Sequence, residues 1–359
     1  MKAQRDLRAD VGQLLVMGFE GTALTPALAS LIRELQPGGL ILFARNVTDA
    51  RQTHALLREC RALVAVPPFL CVDMEGGTVD RLKHAVAPAP SAARVFAGGN
   101  KKFFSEHGRL IGTECRTLGF NVDFAPCSDL AYEASRTALG SRAVSSHPEQ
   151  VTAYVRAFLQ GLREAGVLGC GKHFPGLGAA ALDSHYALPV IEKSLKQLWR
   201  EDLVPYRSLR NTLPFVMVAH AKFPQVVADD LPASLSPAWI RGILRKKIGY
   251  RGLVISDDLE MAGALSIGSA ADAALATLRA GADLYLVSHQ ESRVREAFEH
   301  VLRAGEREPA LARYIGSAAR RVRAFKSRRR ELKKFPASPT AATVERLRAA
   351  LSRFAESLP

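Results

Sequence analysis

The chain has 359 residues, 48% of them hydrophobic, and a formal net charge of +14. That is enough apolar material for a large core, and the absence of any run of 18 consecutive apolar residues excludes a membrane-spanning helix. Five cysteines, an odd number with no C-x-x-C or metal-ligand spacing, exclude a disulfide framework and a zinc ribbon.

The first residues, Met1 to Arg8, are polar and lead into Leu14-Leu15-Val16-Met17, too short an apolar run for a secretory signal. With buried, reduced thiols, this predicts a cytoplasmic protein. Strand-like runs then recur along the chain: Leu14 to Gly18, Gly39 to Phe43, Phe69 to Asp73, Asn121 to Ala125, Val167 to Lys172, Phe215 to His220, Leu253 to Asp257 and Asp283 to Ser288. The segments between them read as helices. Val151, Tyr154, Val155 and Phe158, for example, fall at helical spacing and predict core packing. Eight parallel-type strands alternating with helices predict an α/β fold, a single (β/α)8 barrel. The rival, a doubly wound open sheet, lacks a G-x-G-x-x-G or Walker loop after the first strand.

Polar residues gather where these strands end. Phe69 to Asp73 runs into Met74-Glu75-Gly76-Gly77. The run Gly166 to Gly171 opens into Lys172-His173-Phe174-Pro175-Gly176, followed by Asp183-Ser184-His185. Leu253 to Ser256 ends in Asp257-Asp258. Such groups are costly to bury without partners. In a barrel, Asp73, Asp123, Lys172, His173, His220 and Asp257 are all expected at one mouth. An Asp-x-His pair can fix an imidazole's tautomer and raise its pKa for proton transfer, although two loop residues need not meet. Of Asp257 and Asp258, one could act as a nucleophile while the other anchors structure; equally, both could cap the next helix.

From Arg320 to Lys334 the chain carries nine Lys/Arg against one Glu. Pro336 and Pro339 follow. Val344, Leu347, Leu351, Phe354 and Leu358 then mark one face of an amphipathic helix. The division predicted is a catalytic barrel over 1–315 and a basic helical extension over 316–359. The basic run could meet nucleic acid or an anionic membrane, but a solvated helix face is the commoner outcome, and no nucleic-acid partner is expected.

Together, Lys172 to Gly176 with Asp183-Ser184-His185, Val254 to Leu259 with Met261, and Asp73 to Gly77 resemble the bacterial β-N-acetylhexosaminidases of glycoside hydrolase family 3. Leu42 to Asn46, Asn121 to Pro126 and Pro232 to Ser236 add to the match, which runs from about Val11 to about His289. The resemblance implies a cofactor-free and metal-free retaining exo-β-N-acetylglucosaminidase, acting on a small glycan or muropeptide in peptidoglycan recycling. It implies Asp257 as nucleophile and His185 as acid/base assisted by Asp183, in place of the usual second carboxylate. It also implies substrate contacts at Asp73, Arg81, Arg142, Lys172 and His173. Arg81 could instead simply pair with Asp73 or Glu75, and His173 could be a satisfied strand-end residue. The sequence leaves oligomeric state open.

Some positions depart from the family pattern. A loop usually reading Pro-Gly-His-Gly-Asp-Thr is here Pro175-Gly176-Leu177-Gly178-Ala179-Ala180, and the arginine usual after the glycines is Thr78. These changes remove hydrogen bonds near the acid/base, so they bear on rate and loop closure. Two other activities remain compatible with the sequence. One is a phosphorylase, because a histidine acid/base repels phosphate less than a carboxylate does. The other is a catalytically weak glycan-binding barrel.

Overall fold

The computed structural model describes residues 2–180, 182 and 187–359, with only the main chain for 2–5. Eight short parallel strands form one sheet: β1 (Leu15–Met17), β2 (Gly39–Leu42), β3 (Phe69–Val72), β4 (Val122–Asp123), β5 (Cys170–Phe174), β6 (Phe215–Val218), β7 (Leu253–Asp258) and β8 (Leu284–Val287). Each strand pairs with its sequence neighbours, and β8 returns to β1. Between β4 and β5 the pairing passes through isolated bridges, Val122 with Leu168 and Cys127 with Lys172. The Asp123 N–H donates to the Leu168 carbonyl (2.8 Å) and the Cys170 N–H to the Ala125 carbonyl (2.8 Å). The sheet therefore curls into the predicted (β/α)8 barrel. Its strands are apolar runs because both faces are covered, by helices outside and by packed side chains within.

The predicted strands fall within a residue or two of the observed ones, except at β5. There the ladder with β6 begins only at Cys170, opposite Phe215. Lys172 and His173 consequently lie within the strand, not beyond it. The helix Pro148–Glu164 buries Val151, Tyr154, Val155 and Phe158 as expected. All five cysteines are buried and unpaired, and no helix among the described residues is long and apolar enough to cross a membrane.

Beyond β3 the chain folds into a small hairpin, Met74–Gly76 against Val79–Asp80. Its turn needs Gly76 and Gly77, both at positive φ (80° and 60°). A Cβ on Gly77 would also fall 2.5 Å from the Ser91 Cβ. Glycine is thus what lets the hairpin lie against the barrel's rim and carry Glu75 and Arg81 there.

At the opposite end, the helix Pro309–Ser327 closes the barrel floor and runs unbroken across position 315/316. Phe325 packs edge-on to Phe69 and Phe215, with ring centroids 6.1 and 5.5 Å away. Part of the basic run is engaged in this packing. Lys326 is buried, Arg321 pairs with Asp283 (2.9 Å) and Arg323 with Asp10 (2.6 Å). Only its other side is solvated. The helix Ala341–Glu356 then lays Leu347, Leu351 and Phe354 onto the helix Lys101–Leu118.

Candidate active site

Strand C-terminal ends deliver functional groups to one mouth, as the fold requires. A cavity of about 340 Å³ opens there. Its lining includes Asp73 from the end of β3, Arg81 from the hairpin, Asp257 and Asp258 from β7, and His289 just past β8. Phe43, Met217, Met261 and Leu286 form apolar wall.

Asp257 Oδ1 accepts the Asp258 N–H (2.9 Å), and Asp257 makes no ion pair among the described residues. Neither aspartate caps a helix: the next α-helix starts at Ala270, capped by Ser269. Asp258 is instead the anchor. Its carboxylate accepts from the Glu260 N–H (3.1 Å) and from the Ser288 hydroxyl, and lies 3.1 Å from His289 Nδ1. These contacts tie the end of β7 to the end of β8 and leave Asp257 facing the cavity. His220, fully buried, sits below. Its Nδ1 is 2.7 Å from Ser234 Oγ and its Nε2 3.0 Å from the Asp258 carbonyl. Burial lowers its pKa, so it is a neutral strut.

Behind the cavity lies a charged network. Lys172 Nζ sits 2.7 Å from Asp73 Oδ1 and 2.7 Å from Glu75 Oε1. Arg142 clasps Glu75 with two bonds of 2.9 Å, and the Nη2 that makes one of them is also 3.3 Å from His173 Nε2. His173 Nδ1 in turn faces Asp129 Oδ2 at 2.7 Å. Burial opposes the charge of Lys172, but Asp73 and Glu75 outweigh it and raise its pKa. Burial likewise opposes ionisation of Asp129, and His173 outweighs it, holding that carboxyl below its usual range.

The structure thus brings Asp73, Arg81 and Asp257 to one cavity, joins Lys172 directly to Asp73, and links Arg142 and His173 to it through Glu75 and Lys172. Arg81 pairs with neither Asp73 nor Glu75. Its Nε is buried with no partner among the described residues, and its guanidinium lies 5.8 Å from the centre of the Phe43 ring. Asp183 and His185 lie outside the described residues. Asp123 and His220, expected at the mouth, are wholly buried instead. Asp123 turns its Oδ1 to the Met74 N–H (2.9 Å) and so braces the hairpin. The site also includes residues with no role assigned from sequence: Asp129, His289 and Arg45, the last inside the Leu42 to Asn46 motif. Asp129 lies three residues beyond the Asn121 to Pro126 motif, a signal that extending that motif would have caught.

Two clusters have the composition of cation sites, Cys127-Asp129-His173 and Asp258-Glu260-His289. In the first, the Cys127 thiol donates to Asp129 (3.3 Å) and burial raises its pKa far above the usual value, which disfavours the thiolate a metal needs. In the second, hydrogen bonds to Asp258 and Glu260 raise the His289 pKa to about 9. The ring is then an imidazolium, a poor ligand.

The family model described as the glycosyl hydrolase family 3 N-terminal domain matches residues 6–324. A β-hexosaminidase of Pseudomonas aeruginosa is 39% identical over 281 residues, covering 77% of this chain and 83% of its own. One from Idiomarina loihiensis is 35% identical, covering 82% and 90%. Among solved structures, a family 3 β-N-acetylglucosaminidase from Paenibacillus superposes with a TM-score of 0.91 at 33% identity, covering 98% of this chain and 68% of its own. NagZ of Neisseria gonorrhoeae, bound to N-trifluoroacetyl-D-glucosamine, gives 0.76 at 27% identity, with 96% and 97% covered.

Proposed function

The chain belongs to glycoside hydrolase family 3, and from that membership we propose that it is a retaining exo-β-N-acetylglucosaminidase with Asp257 as its nucleophile. The observation that carries this reading is the placing of Asp257. It projects from the end of β7 into the same cavity as Asp73 and Arg81, and no cation among the described residues neutralises it. An unpaired carboxylate at a barrel mouth has the electron density to attack an anomeric carbon.

In this mechanism an Asp257 oxygen bonds to the anomeric carbon as the C–O bond to the leaving group breaks. His185 donates a proton to the departing oxygen, and Asp183 orients its ring and steadies the imidazolium. Neutral His185 then takes a proton from water, which attacks the glycosyl-enzyme and frees both the sugar and Asp257. Asp73, fixed on one oxygen by Lys172, accepts hydrogen bonds from sugar hydroxyls with the other. Arg81 donates from its unpartnered Nε. Arg142 and His173 complete the pocket for hydroxyl and N-acetyl groups, with Glu75 and Asp129 setting their positions. The substrates we infer are cytoplasmic muropeptides from peptidoglycan turnover.

The test is nitrophenol release from 4-nitrophenyl β-N-acetylglucosaminide by wild type and Asp257→Ala, with and without phosphate. The reading expects phosphate-indifferent turnover that falls on the order of a thousandfold or more in the variant. Sugar 1-phosphate among the products would establish a phosphorylase. Binding of N-acetylglucosamine without turnover, unchanged in Asp257→Ala, would establish a glycan-binding barrel.

A further inference from the structure

The barrel's floor, on the side away from Asp257, carries two adjoining clefts of about 400 and about 640 Å³. They share Asn211, Leu213 and Arg329 and are framed by the starts of β6 and β7 and by the end of the helix Pro309–Ser327. Arginines dominate both. Arg156 and Arg163 line one, Arg251, Arg321 and Arg328 the other, and Glu331 is the only carboxylate in either lining. Arg321 is already paired with Asp283, and the Arg329 guanidinium sits over the Phe325 ring, 4.4 Å from its centre. Arg156, Arg163, Arg251 and Arg328 make no side-chain hydrogen bond or ion pair with any described residue, and all four are exposed.

Helix ends explain part of this. Arg163 and Arg328 sit at helix C-termini, where a cation offsets the local dipole. Arg156, in mid-helix, and Arg251, in the turn before β7, have no such reason to be there. Elsewhere on this chain some exposed arginines pair with carboxylates, as Arg279 and Arg295 do, and others, such as Arg33 and Arg303, pair with no described carboxylate. A concave surface that gathers these arginines from three separate segments and supplies one acid is built to take anionic charge from outside.

We propose that these joined clefts form a binding site for a small polyanion bearing at least two phosphate groups. Arg156 and Arg163 would hold one end and Arg251 and Arg328 the other, with Arg329 between. The bounded volumes, each within the range of small-molecule sites, favour a compact ligand over a nucleic-acid strand. A strand would need a basic track with free aromatic faces for stacking. The one aromatic ring here, Phe325, already carries Arg329.

The experiment is titration calorimetry of the full chain with inorganic tripolyphosphate at about 0.1 M salt, where unspecific surface attraction is largely screened. It compares wild type, Arg251→Glu/Arg328→Glu and Arg156→Glu/Arg163→Glu. Saturable 1:1 binding is expected, weakened at least about tenfold in each double variant, with nitrophenol release unchanged. A charge reversal on a solvated surface should leave the fold intact, and matching thermal transitions verify it. Two results would overturn the proposal: no saturable binding by wild type, or equal binding by folded double variants. So would a single-stranded oligonucleotide that binds the same arginines and that tripolyphosphate fails to displace.

Discussion

Arg142 holds Glu75 through two parallel bonds of 2.9 Å, and the pair lies behind the cavity with both side chains largely out of water. Lys172 reaches the same carboxylate and extends a second contact to Asp73. The pair is therefore the hinge between the hairpin, β5 and Asp73 in the cavity wall. Burial opposes ionisation of Glu75, yet Arg142 and Lys172 outweigh it and hold the carboxyl well below its ordinary 4.5.

Glu75→Gln should cost about 3–5 kcal/mol, since it leaves buried Arg142 without its carboxylate and Lys172 with Asp73 alone. The sign of the pH effect follows from the depressed native pKa. The Glu75 contribution is complete above its unfolded pKa, near the ordinary 4.5, and shrinks as pH falls below that. Urea denaturation of both proteins between neutral pH and pH 3 checks this. The difference between them should narrow on the acid side, and a difference below about 1 kcal/mol at neutral pH would mean the network is solvated.

His289 offers a spectroscopic test. Its ring, about half exposed, bridges Asp258 and Glu260 at the cavity rim and stacks on Phe43 at 5.8 Å. Arg45 and Arg293 are the cations nearby, and Arg45 opposes the proton. Its pKa is raised from 6.5 to about 9, chiefly by Asp258 and then Glu260. Its contribution to stability is thus complete below about 6.5 and lost as pH rises through about 9. An NMR titration should find the His289 midpoint near 9, falling toward 6.5 in Glu260→Gln. A wild-type midpoint near 6.5 would show that the ring does not engage the two carboxylates.

Much of the fold was legible because a (β/α)8 strand is an apolar run covered on both faces, and eight such runs leave little topological choice. What was not legible depends on where the chain goes between strands. Asp123 and His220 stand at strand ends like Asp73, yet one braces the hairpin and the other props Asp258. Strand position alone does not tell a lining residue from a brace. Leu177 and Ala180, read as lost polar contacts, are packed into the core, and Leu177 still gives its N–H to Asp129 at 2.7 Å. Charge counting placed Lys326 on a solvated face because a sum over residues carries no direction.

That same Lys326 yields a third prediction. It is buried above the Phe69 ring, with its Nζ donating to the Gly38 carbonyl (2.7 Å) and to Gln13 (3.1 Å), and no carboxylate among the described residues pairs with it. Burial lowers its pKa from 10.5 to about 7. Between those values the unfolded chain binds a proton that the native state does not, so this residue makes stability rise with pH across that window. A shift of this size corresponds to on the order of 5 kcal/mol. Lys326→Met keeps the length and removes the titration. It should be more stable than wild type at pH 6, with the advantage shrinking or reversing by pH 10. A pH-independent difference would show that Lys326 keeps its charge in water.

The fourth prediction concerns the C-terminal helix. Phe354 is 6% exposed, edge-on to Phe103 at 5.8 Å and stacked on His107 at 6.1 Å. Arg348 donates to the Val86 carbonyl (2.9 Å) and Arg94 to the Ala355 carbonyl (2.9 Å), so contacts run both ways between helix and barrel. Phe354→Ala should therefore cost about 3–5 kcal/mol, the range for emptying an aromatic site in a packed core. None of these residues lines the cavity that holds Asp257. Turnover per folded molecule at low temperature should hold, while thermal inactivation comes earlier. Heat denaturation followed by both ellipticity and nitrophenol release separates the two effects. If the variant melted like wild type, the helix would be an appendage. If it lost activity while still folded, the helix would be coupled to the mouth through the helix Lys101–Leu118, which it covers.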